Sequence, residues 1–349
     1  MKNFFVFLSI LSIYSCNKKP IEPITPSQYE SGVFSLNEGL FEQNNASISF
    51  YDGVVSYQQI FRSENGRGLG DTANDFEAYN LNGKEYLIVT VDISSQVEII
   101  DRETMKSVAQ IPFFNGSEPR SPRKVVVDGP RAFVCNFDGT VGVIDLFNNS
   151  LVEIITVGSN PDAMVLLDDE LFVSNSGGLL YPIYDSTVSV INTATYEVVS
   201  SFTTRMNPSE MIADGYGDIY LISRGNYADI PTALLRIDAA NRTVVSITER
   251  PISSMTQVGD WLYYFDQDLQ GVYRLNMMTE LDDPTQIIDL SEFETFFSLH
   301  YDSASSLFYA VDANGYVNSS TIHVYNLSGE GIDTFQGGLN TTDLVFENE

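Results

Sequence analysis

The chain has 349 residues and a formal net charge of −29, which comes from 47 acidic and 18 basic side chains. A surface this acidic repels nucleic acid and anionic lipid headgroups, so binding to a phosphate backbone is excluded. The charge is compatible with the solubility of an exported protein and also with the attraction of cationic ligands. Helical periodicity is nearly absent, whereas strand-like alternation bounded by Gly, Asn, Asp and Pro recurs throughout, which predicts an all-β protein.

Residues 1–15 are predicted to be an export signal that does not belong to the fold. Lys2 precedes an apolar run over residues 4–13, which is too short to span a bilayer but suits a signal peptide. A small residue directly before Cys16 resembles a bacterial lipobox, which predicts cleavage before Cys16 and lipidation of that cysteine. An ordinary secretory signal with an incidental cysteine is the alternative. Residues 16–31 contain three prolines and are predicted to form an extended tether.

Residues 32–349 repeat one pattern seven times: an aromatic residue in a short apolar strand, then a second strand that ends in Asp or Asn. The aromatic positions are Phe34, Tyr86, Phe133, Phe172, Tyr220, Tyr263 and Phe308. A period of roughly 40–50 residues built only from strands and turns is the signature of a propeller blade. The sequence therefore predicts a seven-bladed β-propeller in which each blade has four strands, named A to D from the axis outward.

The first blade lacks its innermost strand at the N-terminal end. Its B, C and D strands are predicted over residues 33–37, 46–52 and 55–61. The missing A strand is supplied by the segment TTDLVF, residues 341–346. Pairing of the two chain ends within one blade closes the ring and removes an exposed sheet edge.

The connections between strands divide between two faces of the predicted propeller. A–B and C–D turns lie on one face, the short-turn face, while B–C and D–A loops lie on the other, the long-loop face. The long loops are 37–45, 61–74, 113–123, 175–185, 223–231 and 312–320, and one further insertion, 277–286, is expected on the short-turn face. Loops on a rigid framework commonly carry recognition, so the long-loop face is the predicted binding face. Random drift in loop length is the alternative, and it would load both faces equally.

Aromatic, amide and arginine side chains are concentrated in the long loops, a composition typical of recognition surfaces. The candidate ligand-binding residues are Asn37, Phe41, Arg67, Arg120, Phe137, Tyr181, Tyr184, Arg224, Tyr227 and Tyr316. For any one of them, packing onto its own loop is the structural alternative.

Catalytic and metal-binding patterns are poor. The two histidines, His300 and His323, are predicted on different strands, and no zinc-protease, nucleophile-elbow, phosphate-loop or CxxC motif occurs. The segment GRGLGD (66–71) is not followed by a predicted helix, so turn geometry explains its glycines. The segment DANGYVN (312–318) has calcium-loop-like oxygens but lacks the bidentate Glu. We therefore predict no catalytic residue, no metal site and no required cofactor, and we expect Cys135 to be an inert buried thiol.

Several strand–turn segments resemble known propeller repeats. VGVID, VSVINTAT, VGSNPDAM and LFVSN are similar to the YncE-like, YVTN-type repeat. The segments GVFSLNEGLFEQNNASISFYDG, NGRGLGDTANDF and VEIIDRETMKSVAQI resemble lipoprotein propellers of Bacteroidetes, and the resemblance runs over residues 32–346. Some members of that group are surface proteins that capture cobalamin and hand it to a TonB-dependent outer-membrane transporter.

The resemblance implies a non-catalytic capture lipoprotein that is held at the outer membrane by its lipid anchor alone, on the cell surface rather than the periplasmic face. It also implies cobalamin or a similarly large cofactor as cargo, and a TonB-dependent transporter as partner. Two alternatives stay open. A protein-interaction scaffold would dock on an outer-membrane or cell-envelope partner through the same face. A lactonase-like or lyase-like enzyme would need convergent His and acid ligands, for which two histidines are few.

Overall fold

The computed structural model describes Tyr29 and residues 31–347, which form seven four-stranded antiparallel sheets and one two-stranded hairpin. The predicted signal peptide, Cys16 and most of the predicted tether lie outside the described residues. The innermost strands of the seven sheets surround a central channel. The predicted seven-bladed β-propeller is therefore confirmed.

The strands follow in chain order, blade by blade. Blade 1 contains β1 (Val33–Asn37), β2 (Ser47–Tyr51) and β3 (Ser56–Tyr57), followed by helix α1 (Ile60–Asn65). Blade 2 contains β4 (Ala73–Leu81), β5 (Lys84–Val91), β6 (Gln96–Asp101) and β7 (Ser107–Pro112), followed by the hairpin β8 (Phe114–Asn115) and β9 (Glu118–Pro119). Blade 3 contains β10 (Pro122–Asp128), β11 (Arg131–Asn136), β12 (Thr140–Asp145) and β13 (Ser150–Thr156).

Blade 4 contains β14 (Pro161–Leu167), β15 (Glu170–Asn175), β16 (Thr187–Asn192) and β17 (Glu197–Thr203). Blade 5 contains β18 (Pro208–Ala213), β19 (Asp218–Ser223), β20 (Ala233–Asp238) and β21 (Thr243–Glu249). Blade 6 contains β22 (Ile252–Val258), β23 (Trp261–Asp266), β24 (Gly271–Asn276) and β25 (Leu281–Asp289). Blade 7 contains β26 (Phe296–Asp302), β27 (Leu307–Asp312), β28 (Ser319–Asn326) and β29 (Gly331–Leu339), and β30 (Thr341–Val345) completes blade 1.

The ring closes between the two ends of the folded chain, as predicted. Strand β30 pairs antiparallel with β1 and places Val345 opposite Phe34. The side-chain oxygen of Asn37 accepts hydrogen bonds from the Gly338 N–H and the Thr341 hydroxyl, each at 2.7 Å. Asn37 is fully buried, so these bonds are shielded from water and fix the junction of blades 7 and 1.

The repeated aromatics form the core between the blades. Six of them are buried: Phe34, Phe133, Phe172, Tyr220, Tyr263 and Phe308. Tyr86 differs, since it is half-buried and stacks on Tyr79 with ring centroids 5.3 Å apart. Full burial of one large apolar side chain contributes about 1.5–3 kcal/mol, so a repeat that buries one in nearly every blade specifies the fold energetically.

The outer strand of blade 1 is shorter than predicted. Strand β3 covers only Ser56–Tyr57, and the predicted D strand over 55–61 was wrong in its second half, which enters helix α1. Ile60 and Phe61 are buried on one side of that helix, and Gly66 ends it in the left-handed conformation. The buried pair anchors the helix against the core of blades 1 and 2, which no local alternation of polar and apolar residues reveals.

The insertion predicted at 277–286 on the short-turn face was also wrong. The turn ends before Leu281, where β25 begins, and the extra residues form a bulge in this edge strand, between the pairings that involve Val272 and Arg274. Pro284 lies within the bulge, where no ladder N–H is required. Every long connection between described strands therefore lies on the long-loop face.

The N-terminal segment joins the propeller on the short-turn face. The Ser31 hydroxyl donates to the Glu347 carboxylate at 2.8 Å, and Val33 pairs with Tyr51 beside the C–D turn of blade 1. Tyr29, which belongs to the segment predicted as a tether, is buried, and its ring centroid lies 5.3 Å from that of Phe50. The long loops lie at the opposite end of the propeller from this junction.

Candidate functional site

A cavity of about 730 Å³ follows the propeller axis. Its wall is formed by the innermost strands β30, β4, β10, β14, β18, β22 and β26, and at the long-loop face it reaches Glu38, Arg123 and Arg224. These three residues, together with Asp92 and Asp162, are called the channel mouth below. The mouth is the point at which the axis of the scaffold meets the long loops.

Two arginines of the channel mouth converge on one carboxylate. Arg224 donates to Asp162 at 2.8 Å, and the Arg123 guanidinium lies 3.6 Å from the same carboxylate and 3.6 Å from that of Asp92. Arg123 also lies over the ring of Phe137, 4.5 Å from its centroid, as in a cation–π contact. Residues from four consecutive blades, 2 to 5, are thereby held together at the mouth.

The acids of the mouth differ in the direction in which their pKa values are shifted. Burial by itself would raise the pKa of Asp162, but the neighbouring arginines and Lys124 outweigh burial and hold this pKa below its usual value. The pKa values of Glu38 and Asp92 are raised, mainly by burial, and Arg123 only partly opposes the rise. Asp162 is therefore the firmly ionised partner of the arginines.

Three tyrosines from two neighbouring loops form a platform beside the mouth. The ring centroids of Tyr181 and Tyr184 lie 6.2 Å apart and those of Tyr184 and Tyr227 lie 6.1 Å apart, both edge to face. Tyr184 is buried, whereas Tyr181 and Tyr227 are 74% and 70% exposed. The pKa of Arg224 is raised first by Asp162 and also by Tyr227, because this phenol lies close to the guanidinium. The tyrosine platform (Tyr181, Tyr184 and Tyr227) is thus continuous with the channel mouth.

The loop that carries Tyr181 and Tyr184 is held by its own hydrogen bonds. The Asp185 carboxylate accepts from the N–H groups of Ser159 and Thr187, each at 3.0 Å. The Ser176 hydroxyl donates to the carbonyl of Asn160 at 2.7 Å. The base of the loop that displays Tyr181 is therefore fixed, which lowers the entropy lost when a ligand binds.

Inside the channel, carboxylates accept from the inward-facing N–H groups of the neighbouring blade. Asp75 accepts from the Val125 N–H at 2.8 Å and from the Lys124 ammonium at 2.7 Å. Glu210 accepts from the Met255 N–H at 3.0 Å. Burial is the main cause that raises the pKa of Asp75 and the pKa of Glu210, each to about 7. These groups tie adjacent innermost strands together and leave the channel wall polar.

The two histidines lie on different strands of blade 7. His300 lies in the channel wall, with Nε2 2.8 Å from the Ser298 hydroxyl and Nδ1 3.5 Å from Asp343. Burial and Lys124 lower the pKa of His300 to about 3, so the ring is neutral at pH 7. His323 lies in strand β28 of the same blade, where its ring packs on Phe293. Among the described residues, no three His, Cys, Asp or Glu side chains are placed to hold one metal ion.

The structure also describes the calcium-like segment 312–318 and the thiol of Cys135. The Asp312 carboxylate of the calcium-like segment accepts three backbone N–H groups, those of Glu294, Thr295 and Asn314, at 2.8–2.9 Å. Its oxygens are thus used by the turn itself. Cys135 is fully buried, and burial raises the pKa of its thiol to about 12, which suits an inert side chain.

The remaining candidate residues are spread over the long-loop face. Phe41 and Tyr316 are exposed on separate loops. Arg67 donates to Glu98 at 2.6 Å and Arg120 donates to Asp138 at 2.6 Å. Asn37 is the buried junction residue described above. The structure therefore brings together Tyr181, Tyr184, Tyr227 and Arg224, with Phe137 joined to them through Arg123.

The sequence placed Arg123 and Glu38 in long loops but did not single them out as ligand-binding candidates, and it gave no indication of Asp162 or Asp92. Arg123 and Asp162 follow Pro122 and Pro161, the first residues of the innermost strands of blades 3 and 4. A polar residue directly after a proline that begins an innermost strand is therefore a usable signal for a residue at the mouth.

The fold and the site together define a β-propeller whose long-loop face carries an exposed aromatic platform beside a polar channel. Within the described residues, no helix is long and apolar enough to cross a membrane. Residues 31–334 match the family described as "Domain of unknown function (DUF5074)", and the chain belongs to that family. A comparison with curated proteins gave no match.

Solved structures with this architecture include two from bacteria. A quinoprotein alcohol dehydrogenase-like protein from Bacteroides thetaiotaomicron is 16% identical, with a TM-score of 0.66 over 92% of this chain and 79% of that chain. Hydrazine synthase from Kuenenia stuttgartiensis is 17% identical, with a TM-score of 0.57 over 69% of this chain and 73% of that chain. At such identities the likeness shows the propeller fold alone.

Proposed function

We propose that this protein is a non-catalytic ligand-capture lipoprotein of the outer membrane that presents its long-loop face on the cell surface. The proposed cargo is cobalamin or a similarly large cofactor, and the proposed recipient is a TonB-dependent transporter. The observation that carries the proposal is the tyrosine platform, which exposes the rings of Tyr181 and Tyr227 beside Arg224 of the polar channel mouth.

The chemistry of a corrin suits this surface. The macrocycle is large and flat-sided, so aromatic rings can cover it, and its amide-bearing rim can exchange hydrogen bonds with the mouth. Cobalamin is close to neutral, so the acidity of the chain is no obstacle to its approach. Exposed apolar side chains on a protein this acidic also favour an interaction role for the face that carries them.

Calorimetric titration with cyanocobalamin tests the cargo. The protein lacking residues 1–16 should release or absorb heat on titration and should melt at a higher temperature when saturated. Tyr227→Ala should weaken binding about tenfold, since it removes one exposed ring of the platform. Tyr216→Ala is the matched control, because Tyr216 is a 50% exposed tyrosine in a turn of the short-turn face. Absence of both heat and thermal shift at saturating ligand would remove cobalamin as the cargo.

A protein-docking scaffold is the second candidate function. The platform loop also exposes Leu179, Leu180 and Ile183, and aliphatic side chains of this kind are common at protein–protein interfaces. This function predicts that the immobilised protein retains an outer-membrane barrel protein from detergent-solubilised membranes without any small-molecule binding. Ile183→Asp should abolish that retention while leaving the melting temperature unchanged.

A further inference from the structure

Two arginines and two aspartates lie close together at the channel mouth. Arg123 and Arg224 face Asp162 and Asp92 at 2.8–3.6 Å. The fifth member of the mouth, Glu38, adds a third carboxyl group, and burial raises its pKa as it raises the pKa of Asp92. A local balance of this kind stands out in a chain whose formal charge is −29.

The mouth nevertheless keeps hydrogen-bonding capacity for a ligand. The Arg224 side chain is 43% exposed, and the hydrogen bond it donates to Asp162 uses only one guanidinium nitrogen. Arg123 donates to Asn74 and lies beside two carboxylates, each of which has lone pairs to spare. Donors and acceptors therefore stand side by side with little net charge.

We propose that the channel mouth is a subsite for an uncharged carboxamide group of the ligand, and that Asp162 is the positioning residue that sets this preference. A carboxamide offers one acceptor and two donors, which matches an arginine and a carboxylate placed together. A fixed anion meets Asp162, and a fixed cation meets the two arginines. This inference rests on the proposed capture function and specifies the chemical class of group that enters the mouth.

The position of Asp162 in the fold explains why it can act in this way. It follows Pro161 at the start of β14, the innermost strand of blade 4, and is 7% exposed. Arg123 lies on the blade before it and Arg224 on the blade after it. One buried carboxylate thus holds arginines from both neighbouring blades in place over the channel.

The first test changes the charge balance and uses inorganic phosphate as the probe. Wild-type protein should show no phosphate-dependent rise in melting temperature at constant ionic strength. Asp162→Asn leaves the shape intact but removes the one carboxylate that faces both guanidinium groups and leaves Arg224 without an acidic partner, so it should bind phosphate with a dissociation constant on the order of 1–10 mM. Asp218→Asn is the matched control, because it removes the partner of Arg236 on the short-turn face, where Glu280 remains as a second partner.

The second test compares cyanocobalamin with its monocarboxylates, in which one side-chain amide has been hydrolysed. The wild-type protein should bind the neutral form at least tenfold more tightly than the monocarboxylate whose altered group enters the mouth. Asp162→Asn should remove or reverse that preference, and Asp218→Asn should leave it unchanged. The phosphate test needs no corrinoid, so failure of the charge balance is distinguishable from failure of the proposed cargo.

Either of two results would overturn the inference. One is a phosphate response in the wild-type protein equal to that of Asp162→Asn. The other is an Asp162→Asn variant that folds but neither binds phosphate nor changes the preference for the neutral corrinoid, which would make Asp162 a merely structural residue. Should Asp162→Asn fail to fold, Arg224→Gln decides the matter, since it should weaken cyanocobalamin binding tenfold or more without creating a phosphate response.

Discussion

The two faces of this propeller are built from the same seven blades but obey different rules. On the short-turn face, Asp and Asn side chains accept N–H groups of their own turns, as Asp101 does from Thr104 and Asp302 does from Ala304. On the long-loop face, exposed rings such as Tyr181 and Tyr227 make few contacts that the fold requires. The difference teaches where stability and recognition reside: turn chemistry on one face serves the fold, and the unequal loops of the other are free to serve a ligand.

The largest effect is expected from deletion of the strand that closes the ring, because both faces depend on that ring. Deleting residues 341–349 takes away β30 and leaves β1 as an open edge. The lost pairing and core contacts should exceed the whole free energy of unfolding, which is about 5–15 kcal/mol for a typical domain. Thermal melting followed by circular dichroism should show no cooperative transition. A sharp, unshifted transition would contradict ring closure by the chain ends.

A substitution in a short turn should lower stability and spare binding. The Asp101 carboxylate accepts the Thr104 N–H at 2.9 Å and the Thr104 hydroxyl at 2.8 Å, and it pairs with Lys84. Asp101→Ala should therefore lower the free energy of unfolding at pH 7 by about 1–2 kcal/mol in urea titrations. Ligand affinity should stay the same, and a loss of affinity without a loss of stability would break the contrast between the faces.

The pH dependence of the same variant has a defined sign. Burial tends to raise the pKa of Asp101, but Lys84 and Thr104 outweigh it and lower this pKa below the usual 3.8. The stabilisation is present above the unfolded-state value and is lost as the pH falls through the lower folded-state value. The difference in stability between wild type and Asp101→Ala should therefore shrink below about pH 4.

The channel that joins the two faces should show the opposite trend with pH. Burial raises the pKa of Glu210 from 4.5 to about 7, so the folded state binds a proton that the unfolded state releases in this window. The stability of the wild type should then fall as the pH rises from 4.5 to 7, by on the order of 1 kcal/mol from this group. Glu210→Gln keeps an acceptor for the Met255 N–H and should flatten that fall in urea titrations at several pH values. If the dependence of stability on pH is the same in Glu210→Gln as in the wild type, a group other than Glu210 binds the proton.

The smallest effect is expected from a substitution on the long-loop face, which should lower ligand affinity and leave stability unchanged. Tyr181→Ala should weaken ligand binding by about 1 kcal/mol, or roughly fivefold, because the ring is exposed and touches the platform only at Tyr184. The melting temperature should stay within about 1 °C of wild type, since exposed loop substitutions change stability little. If the melting temperature falls and the affinity holds, Tyr181 is loop packing and not part of a binding surface.

The sequence alone reached the fold because the fold is repeated. Seven aromatic strands at a steady spacing predict blades, and Thr341 to Phe346 are recognisable as the one strand that lacks a blade. The sequence did not predict helix α1, because Ile60 and Phe61 are helical owing to burial against two blades rather than to local periodicity. The bulge in β25 was hidden for a similar reason, since strand pairing absorbed residues that resembled an insertion.

The site was only half predictable. Exposed tyrosines can be found by composition and loop length, as Tyr181 and Tyr227 were. Ion pairs cannot, because Arg224 and Asp162 are 62 residues apart and meet only through the angle between neighbouring blades. The same limit applies to Arg67 and Arg120, whose partners Glu98 and Asp138 are fixed by strand register and are invisible in a loop composition.

The place at which the N-terminal segment joins the propeller gives the molecule a polarity. With lipid on Cys16, as proposed, the chain between Cys16 and the buried Tyr29 would reach at most about 45 Å when extended. This N-terminal segment joins the propeller at the short-turn face, whose Asp-rich turns would be repelled by anionic headgroups. On this proposal the short-turn face would face the membrane, and the long-loop face would point away from it toward the cargo.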